Sequence, residues 1–508
     1  MLAESSRVAL WALLLAAPLA AAGAAAPRYS KLWGREGERW TPESRLPDFS
    51  YAGYHRGEKP LPTLQPQVSV RDFGAVGDGK ADDTAAFQRA IAEAKGKVIA
   101  VPPGRYVITD FLDIRHPGTC LKGAGPDKSV LYFPTPLNEI KPNWGATTSG
   151  RRTSNYSWSG GFLRVRGSRS RKLLAQVAEP AKRGAMALTV SAVERLKVGQ
   201  GVRLDLRDTR EQTLARHLYA GDPGSIKNLR DRARESFLCR VTKIDQDRLR
   251  IQFDRPLRTD VRLEWTPRLY PAASSVEEVG IEGLRFEFPD TPYRGHFTEV
   301  GYNAMALSGC RHCWVRDVRV TNADSGMFLR GANITLRGIV LESRRRAERS
   351  RNATGHHGVT LSGQDNLLEG FEFRTRFMHD ITVTSRSAGN VAARGKGIDL
   401  CFDHHRYACH ANLFTHIDLG EGTRMFQSGG GGALGRHSGA WETFWCIRAR
   451  RGQSWPRGWG PDLMNLVGVQ TSRPSVTDRE GRWFEAIPPE ALRPRNLYEA
   501  QLERRLDR

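Results

Sequence analysis

The stretch VSVRDFGAVGDGKADDTAAFQRAIAEAKGKVIAVPPGRY, residues 68–106, decides the fold of this 508-residue chain. Within it, the apolar residues of AAFQRAIAEA (85–94) recur at helical spacing, which predicts an amphipathic helix. Asp82, Asp83 and Thr84 stand before it and are typical of a helix N-cap. The segment KVIAVPPGRYVI (97–108) then predicts two strands joined by a Pro-Gly turn.

This stretch resembles the opening of the pectate lyase/rhamnogalacturonase-like right-handed β-helix superfamily. The matching residues are Asp72-Phe-Gly-Ala, Gly77-Asp-Gly, Asp82-Asp-Thr, Phe87-Gln, Ile91 and Val101-Pro-Pro-Gly-Arg-Tyr. The resemblance implies an all-β fold, a right-handed parallel β-helix (solenoid) with an N-terminal capping helix. In that superfamily the segment is structural, so Asp78, Asp82 and Asp83 are not site candidates.

The second half of the chain repeats an apolar-x-apolar triplet, which independently indicates the stacked coils of a solenoid. The triplets begin at Phe286, Val318, Ile339, Phe371, Ile398 and Ile417. Asparagines precede four of them, at Asn333, Asn366, Asn390 and Asn412. Because side chains alternate along a strand, the flanking apolar residues should point inward and the middle residue outward.

These patterns divide the chain into six predicted segments. They are a signal peptide (1–26), an extended N-terminal arm (27–66), the β-helix cap and first coils (67–144), a small antiparallel β insert (145–275), the β-helix with an active-site groove (276–475) and a C-terminal tail (476–508). The insert is predicted from segments such as VGQGVRLDLRD and FLCRVTKIDQ, which read as strands with polar connections. The sequence LYEAQLERRLDR predicts a short terminal helix.

The chain is strongly basic, with 77 Lys and Arg against 55 Asp and Glu. Its net charge of +22 should attract polyanions such as nucleic acid, anionic lipid surfaces or acidic polysaccharides. Arg7, the apolar run Val8 to Ala17 and small residues through Ala26 are typical of a secretory signal peptide. We therefore expect a secreted monomer, extracellular or periplasmic. It should bind an anionic polysaccharide, and neither nucleic acid nor, after signal cleavage, a membrane.

Seven cysteines leave at least one thiol unpaired in a monomer. A disulfide between Cys401 and Cys409 is one hypothesis, since these residues bracket the segment FDHHRYA. The sequons at Asn155, Asn333 and Asn352 predict a glycoprotein if the source glycosylates secreted proteins.

Eight of the thirteen histidines lie between His356 and His437, interleaved with arginines and carboxylates. Histidine changes charge near neutral pH, and arginine holds carboxylates bidentately. The stretch therefore predicts acid–base chemistry on an anionic substrate. The triplet register places several charged residues on one outer face: Glu372, Arg374, Arg376, Asp399 and Asp403.

The favoured function is a polysaccharide lyase that cleaves a uronic-acid polysaccharide by β-elimination. A cation neutralises the carboxylate, a base removes the neighbouring proton, and an acid assists the leaving oxygen. The predicted catalytic residues are His405, Arg376, His379, Tyr407 and Arg406. The predicted substrate-binding residues are His357, Arg374, Asp403, His404, Glu421, Arg424, Arg436 and His437. No metal ligand and no cofactor are predicted, although a role for Ca²⁺ stays open.

Two other classes of function remain open. A glycoside hydrolase would use paired carboxylates, and an epimerase would act on the same acidic polymer. The segments Asn322-Ala-Asp-Ser-Gly and Gly355-His-His-Gly echo two polygalacturonase motifs, but the Asp-Asp and Arg-Ile-Lys elements have no counterpart. A non-catalytic carbohydrate-binding or adhesion solenoid would use the cationic blocks only to hold a polyanion.

Overall fold

The computed structural model describes residues 26–147, 149–230, 233–349, 352–473 and 481–507. The predicted signal peptide lies outside these residues except for Ala26. Two parallel sheets follow the chain through successive coils and enclose one large hydrophobic core. We call them the long sheet and the short sheet.

The long sheet has sixteen strands within the described residues, all paired in parallel. Twelve strands follow one another across it: Val68–Ser69, Val98–Val101, Cys120–Gly123, Gly280–Glu287, Trp314–Thr321, Thr335–Glu342, Leu367–Glu369, Val391–Gly397, Leu413–Asp418, Thr443–Arg448, Asn465–Val469 and Trp483–Glu485. Four more pair beside this path: Asp78–Asp82, Gly104–Val107, Ser129–Tyr132 and Glu372–Phe373.

The short sheet is also parallel and has seven strands in the described part of the chain. In spatial order they are Phe402–His404, Phe377–Val383, Gly355–Leu361, Ser325–Ala332, Asn303–Arg311, Leu163–Arg166 and Leu112–Ile114. The chain alternates between the two sheets, and this alternation builds the predicted right-handed parallel β-helix.

The triplet register holds for four of the six predicted triplets. It is displaced by two residues at Phe286-Glu-Phe, where Phe286 pairs with Val320 instead of Val318, and it is wrong for Ile398-Asp-Leu. Val340 pairs with Glu372, which pairs with Lys396 and, through it, with Asp418. Lys396 therefore occupies the middle position that was predicted for Asp399. Its neighbours are glycines, and a Cβ at Gly395 would lie 2.0 Å from the ring of Phe371. The ring of Phe371 therefore fills the space beside Gly395 that the flanking apolar side chains of a triplet would otherwise occupy.

Three buried asparagines form a ladder along the coils. The Nδ2 atom of Asn366 donates to Oδ1 of Asn390 at 2.9 Å, and Asn390 donates in the same way to Asn412 at 2.9 Å. The ladder ends where Asn412 donates to Oε1 of Glu442 at 2.7 Å. Each amide thus satisfies a polar group that burial would otherwise leave unpaired.

The insert is an antiparallel sheet that begins later than predicted. Its six strands within the described residues are Ala175–Gln176, Arg268–Pro271, Gly201–Arg207, Arg234–Asp245, Arg250–Phe253 and Ala187–Thr189. The predicted boundary at residue 145 is wrong, because Leu163–Arg166 belongs to the short sheet. Buried ion pairs join the insert to the β-helix: Asp365 lies 2.9 Å from Arg255 and 2.5 Å from Arg258.

The N-terminal arm and the C-terminal helix pack together on strands of the long sheet. Leu32, Trp33 and Phe49 share a buried cluster with Leu497 and Tyr498, and the same cluster includes residues of five long-sheet strands. The pairing of Arg28–Tyr29 with Leu492–Arg493 fixes the two ends side by side. The last coil extends past the predicted boundary at 475, because Trp483–Glu485 pairs with Asn465–Val469.

Helices are few in the described chain. The α-helices span Thr84–Glu93, Leu137–Ile140, Thr213–Leu218 and Leu497–Leu506, and the 3₁₀ helices span Tyr54–Gly57, Val70–Phe73, Asn155–Ser157, Lys227–Leu229 and Leu263–Trp265. The predicted helix after Asp83 is present and buries Phe87 and Ile91 in the main core. Its role as a cap stays a prediction. Among the described residues, no helix has the length and apolarity needed to cross a membrane.

Candidate active site

Five histidines and one aspartate meet beside one end of the short sheet, and we call them the histidine cluster. Neighbouring strands supply His356 and His357, His379, and Asp403. His405 follows the last of these strands, and His296 comes from the segment before Asn303–Arg311. Register brings the central pair together, because His357 lies directly opposite His379.

The imidazole rings of the cluster are in mutual contact. The rings of His357 and His379 stack with centroids 4.9 Å apart, and those of His379 and His405 meet edge to face at 5.3 Å. On the other side, Nε2 of His296 lies 2.9 Å from Nε2 of His356. Five imidazoles therefore form one continuous group.

Asp403 is fully buried and accepts three hydrogen bonds. The backbone N–H of Gly429 donates to Oδ1 at 2.7 Å, while the Thr382 hydroxyl at 3.0 Å and Nδ1 of His405 at 2.9 Å donate to Oδ2. Burial opposes ionisation, but the neighbouring His379 and His405 outweigh it and hold the pKa of Asp403 well below its usual range. The cluster thus contains a permanent buried carboxylate.

His405 differs from the other imidazoles in both exposure and pKa. Its side chain is 28% exposed, whereas that of His379 is 6% exposed. Burial lowers its pKa, but the charge and hydrogen bond of Asp403 offset this and raise the pKa above the usual value. Because Nδ1 faces Asp403, Nε2 is the atom left to exchange a proton with a substrate.

The remaining imidazoles of the cluster are held neutral. Burial lowers the pKa of His379 to about 4 although the charge of Asp403 opposes it, and burial with the charge of His405 lowers that of His296 to about 4. Burial and the adjacent imidazoles place the pKa values of His356 and His357 well below the usual range. Neutral imidazoles of this kind also suit a metal, and two sets of three have ligand atoms within 4.8 Å of one another: His296, His356 and His379, or His379, Asp403 and His405.

A glycine-rich loop, residues 429–432, lies over the cluster. A Cβ at Gly429 would stand 2.7 Å from Cε1 of His405 and 2.9 Å from Cε1 of His379, so the backbone approaches both rings as closely as glycine allows. A Cβ at Gly432 would meet no atom within 4 Å. Gly429 therefore approaches the imidazole rings, whereas a Cβ at Gly430 would stand 3.0 Å from Cδ of Arg406.

The insert supports the chain that continues from this loop. The backbone N–H of Asn228 donates to Ala433 at 2.8 Å, and that of Gly435 donates to Ser225 at 2.9 Å. Arg436 pairs with Asp222 at 2.6 Å, and Nη1 of Arg436 donates to the Gly458 carbonyl at 2.9 Å. The insert thus positions the loop that covers the histidine cluster.

Two predicted residues flank the cluster in this loop region. Nδ1 of His437 donates to the His404 carbonyl at 3.2 Å, which leaves Nε2 to accept from Nη2 of Arg406 at 3.3 Å. Arg406 also donates to the Gly435 carbonyl. Arg406 is half-buried directly after His405 in the chain and so places a cation at the rim of the cluster.

Arg376 and Arg424 belong to a network of ion pairs beside the start of strand Phe377–Val383. Arg376 lies 3.1 Å from Asp399, and Arg424 donates to Asp380 at 2.6 Å and to the Asp399 carbonyl at 2.8 Å. Asp399 is buried and not on the outer face predicted for it. The predicted shared surface of Arg374, Arg376 and Asp403 is therefore wrong, because these residues belong to different faces of the coil.

Four more predicted site residues lie away from the cluster. Arg374 pairs with Glu372 and Glu342 beside the long sheet, and Glu421 pairs with Arg450. His404 is fully buried against Phe414 and Trp459, inside the coil. The ring of Tyr407 packs against the core of the insert.

Sequence reasoning missed His296, His356, Glu299, Thr382 and Gly429. His356 lies in the segment Gly355-His-His-Gly, but His296 is sixty residues away from it in sequence and outside the dense stretch. The signal that could have found His296 is the solenoid itself, since segments one or two coils apart become neighbours.

The structure contradicts two predictions about covalent modification. All seven cysteines lie in described residues as free, buried thiols, so the predicted bridge between Cys401 and Cys409 is absent. The Sγ atom of Cys409 instead contacts the His437 carbonyl at 3.5 Å. Asn333 is buried, and its amide donates to the Tyr51 carbonyl at 3.0 Å, which leaves this sequon inaccessible in the folded chain.

Comparisons with known proteins match the opening of the chain most directly. Residues 67–140 match the family model described as rhamnogalacturonase A/epimerase, pectate lyase-like. A stretch of 102 residues is 34% identical to the pre-neck appendage protein of Bacillus phage B103. That match covers 19% of this chain and only 12% of the phage protein.

Solved structures resemble the chain over most of its length but at low similarity. The tailspike protein gp49 of Pseudomonas phage LKA1 is 12% identical, with a TM-score of 0.33, and 80% of this chain and 82% of that chain are covered. The A-module of the mannuronan C-5 epimerase AlgE6 of Azotobacter vinelandii is 11% identical, with a TM-score of 0.36 and coverage of 79% and 75%. An exopolygalacturonase of Thermotoga maritima is 11% identical, with a TM-score of 0.33 and coverage of 80% and 81%.

The family match lies in the segment that begins the β-helix, and the two parallel sheets continue that architecture through the rest of the chain. The chain therefore has a right-handed parallel β-helix fold, and its match to the pectate lyase-like family model lies in residues 67–140.

Proposed function

We propose that the protein is a secreted polysaccharide lyase that cleaves a uronic-acid polysaccharide by β-elimination. The observation that carries the proposal is the pair formed by His405 and Asp403. Nδ1 of His405 lies 2.9 Å from a buried carboxylate, and the same side chain is 28% exposed. A buried carboxylate that orients a partly exposed imidazole is the arrangement required of a general base.

In this proposal His405 removes the proton next to the uronate carboxylate through Nε2. The proton then passes from the same atom to the leaving glycosidic oxygen, so that the imidazole ends neutral and a double bond forms in the sugar. His379 was the predicted acid, but its side chain is 6% exposed and lies beneath His405. Tyr407 packs against the insert. Because His405 serves as both base and acid in this proposal, neither His379 nor Tyr407 is required as the acid.

Arg406 is the proposed neutraliser of the substrate carboxylate. Removal of a proton beside a carboxylate builds negative charge, and a positioned guanidinium stabilises that charge. Arg406 directly follows His405, and its orientation is fixed by Gly435 and His437. Arg376 is a weaker candidate, because its guanidinium is already paired with buried Asp399.

Hydrolysis is less compatible with this geometry. Glycoside hydrolases use two carboxyl groups that flank the glycosidic bond. The carboxylates that the described residues contribute at the histidine cluster are Asp403 and Glu299, and both side chains are fully buried. Epimerisation shares the first proton abstraction with elimination, so it is the nearest competing reaction.

The charge of the whole chain and the family match support an anionic sugar polymer as the substrate. A net charge of +22 raises the local concentration of polyanions. The family that residues 67–140 match is described by the names of a rhamnogalacturonase and an epimerase, which supports a polysaccharide.

The test is incubation of the full chain with pectate, alginate, chondroitin, hyaluronan and glucuronan. Ultraviolet absorbance of unsaturated uronates and reducing ends are followed together. A parallel rise of both supports the lyase, whereas reducing ends without absorbance indicate hydrolysis. Proton exchange into the polymer from labelled water, without cleavage, indicates an epimerase. Binding with none of these products indicates an adhesion solenoid.

A further inference from the structure

We infer that His296, His356 and His379 form a binding site for a divalent transition metal ion. These histidines come from three separate segments of the chain, and one ring nitrogen of each lies within 4.8 Å of the others. The Nε2 atoms of His296 and His356 are 2.9 Å apart. The sequence by itself predicted no metal ligand among these residues.

The second nitrogens of two of these rings face buried carboxylates. Nδ1 of His356 lies 3.6 Å from Oε1 of Glu299, and Nδ1 of His379 lies 3.3 Å from Oδ2 of Asp403. Metal-bound histidines usually have a carboxylate at the nitrogen that does not bind the ion, because it fixes the tautomer and the ring orientation. Both rings therefore have Nε2 as the coordinating atom.

Buried polar atoms on the far side of two of these rings support the same choice of tautomer. Within the described residues, Nδ1 of His356, Nδ1 of His379 and Oε2 of Glu299 are buried and make no hydrogen bond of good geometry. An unpaired buried polar atom is costly. Coordination would favour the Nδ1–H tautomer of both histidines, and small movements would then bring each N–H to its carboxylate. Glu299 is already held by the Tyr293 hydroxyl at 2.5 Å.

The donor set indicates which ions would bind. Imidazole nitrogen suits Zn²⁺, Cu²⁺, Ni²⁺ and Fe²⁺, whereas Ca²⁺ takes six to eight oxygen ligands. Three histidines with a further open position also match catalytic zinc sites. His296 is half-buried, whereas His356 and His379 are buried, so the ion would enter from the side of His296.

The test is calorimetric titration of the chelator-treated full chain with Zn²⁺, together with Co²⁺ as a spectroscopic probe. We expect one equivalent of each ion to bind and the Co²⁺ complex to show visible bands of a nitrogen-ligated site. His296→Ala should abolish this binding, and Glu299→Gln should weaken it about 10–100-fold. The control is His416→Ala, which removes a half-buried histidine of the long sheet. This variant should bind as the unchanged chain does.

Absence of stoichiometric binding in the unchanged chain would overturn the inference. So would retention of binding in His296→Ala with loss in His405→Ala, because that pattern assigns the ion to His379, Asp403 and His405. Circular dichroism of each variant identifies those that fail to fold, and His296→Gln replaces His296→Ala if the latter does. The measurement uses no substrate, so it is independent of the proposed lyase activity.

Discussion

Nδ1 of His405 lies 2.9 Å from Oδ2 of Asp403, and the two residues are separated by only one position in the chain. Asp403 lies in the strand Phe402–His404, buried beneath the Gly429 backbone, whereas His405 follows the end of that strand and is partly exposed. A strand end thus places a rigid carboxylate under a partly exposed imidazole. The proposed activity depends on this contact between Asp403 and His405.

Replacement of the imidazole should abolish the chemistry without unfolding the chain. We expect His405→Ala to lower turnover by about 10²–10⁴-fold, which is the usual contribution of a positioned acid–base group. The melting temperature should stay nearly unchanged. His416→Ala, on the long sheet, is the control and should keep full turnover. A large fall in melting temperature for His405→Ala would instead identify His405 as a core residue.

Asp403→Asn should impair both activity and stability. The amide cannot accept from all of Gly429, Thr382 and His405, and an unmet buried donor costs about 1–3 kcal/mol. We expect turnover to fall by about 10²–10⁴-fold, because His405 loses the charge that orients it. Kinetics and urea denaturation measure the two effects. If the residues act as one unit, adding Asp403→Asn to His405→Ala should cost no further turnover.

Gly429→Ala should displace the catalytic imidazole. Its Cβ would stand 2.7 Å from Cε1 of His405, and a shift of the order of 1 Å at a reacting group costs about 10²-fold in rate. Gly432→Ala is the matched control in the same loop, because its Cβ would meet no atom within 4 Å. Steady-state kinetics should separate the two variants. Equal turnover in both would show that the loop yields and that close approach at Gly429 has no role.

Exchange of the charges of Arg436 and Asp222 should separate two roles for Arg436. Arg436 is a predicted substrate-binding residue, but its guanidinium pairs with Asp222 of the insert at 2.6 Å. We expect Arg436→Glu to raise KM with less than about 1 kcal/mol lost in stability, since the pair is partly exposed. Adding Asp222→Arg should restore KM if the pair positions the loop. Persistent loss in the exchanged variant would assign Arg436 to substrate binding.

Asp365→Asn should loosen the insert from the β-helix. The carboxylate lies 2.9 Å from Arg255 and 2.5 Å from Arg258. Its loss removes the carboxylate partner of buried Arg255 and leaves Arg258 paired with Glu235 at 3.2 Å. Breaking a buried pair costs about 3–5 kcal/mol. Asp418→Asn is the control, because its pair with Arg448 is exposed and should contribute about 1 kcal/mol or less. Chemical denaturation of the full chain compares them, and equal losses would contradict the structural role.

The fold could be predicted because its signals are local. Residues 68–106 carry a specific pattern, and apolar triplets repeat where strands pack into the core. The triplet at Ile398 misled because the true strand, Val391–Gly397, places glycines beside Lys396. Because Gly395 packs against Phe371, the strand has no apolar side chain at this position, and the apolar triplet is absent from its sequence. The start of the insert was misplaced for a similar reason, since a four-residue strand carries little signal.

The site could be predicted in part. The dense histidine stretch did contain His357, His379, Asp403 and His405, which the structure brings together. The sequence does not reveal whether a side chain points into or out of a coil. His404 is an example, because it is enclosed by aromatic rings although it directly precedes His405 in the chain. His296 lies outside the dense stretch, and only the stacking of coils, which a linear pattern of histidines does not reveal, brings it to the cluster.

The asparagine ladder has a consequence for how this protein could change during evolution. Its rungs are 24 and 22 residues apart, and each amide must meet the next one at 2.9 Å. An inserted residue that moved one of these asparagines away from the next would break the line of amide hydrogen bonds. An insertion in a loop far from the ladder would leave these hydrogen bonds intact. Substrate specificity can therefore change when the segments around the histidine cluster become longer, while the strands beside the asparagine ladder keep their register.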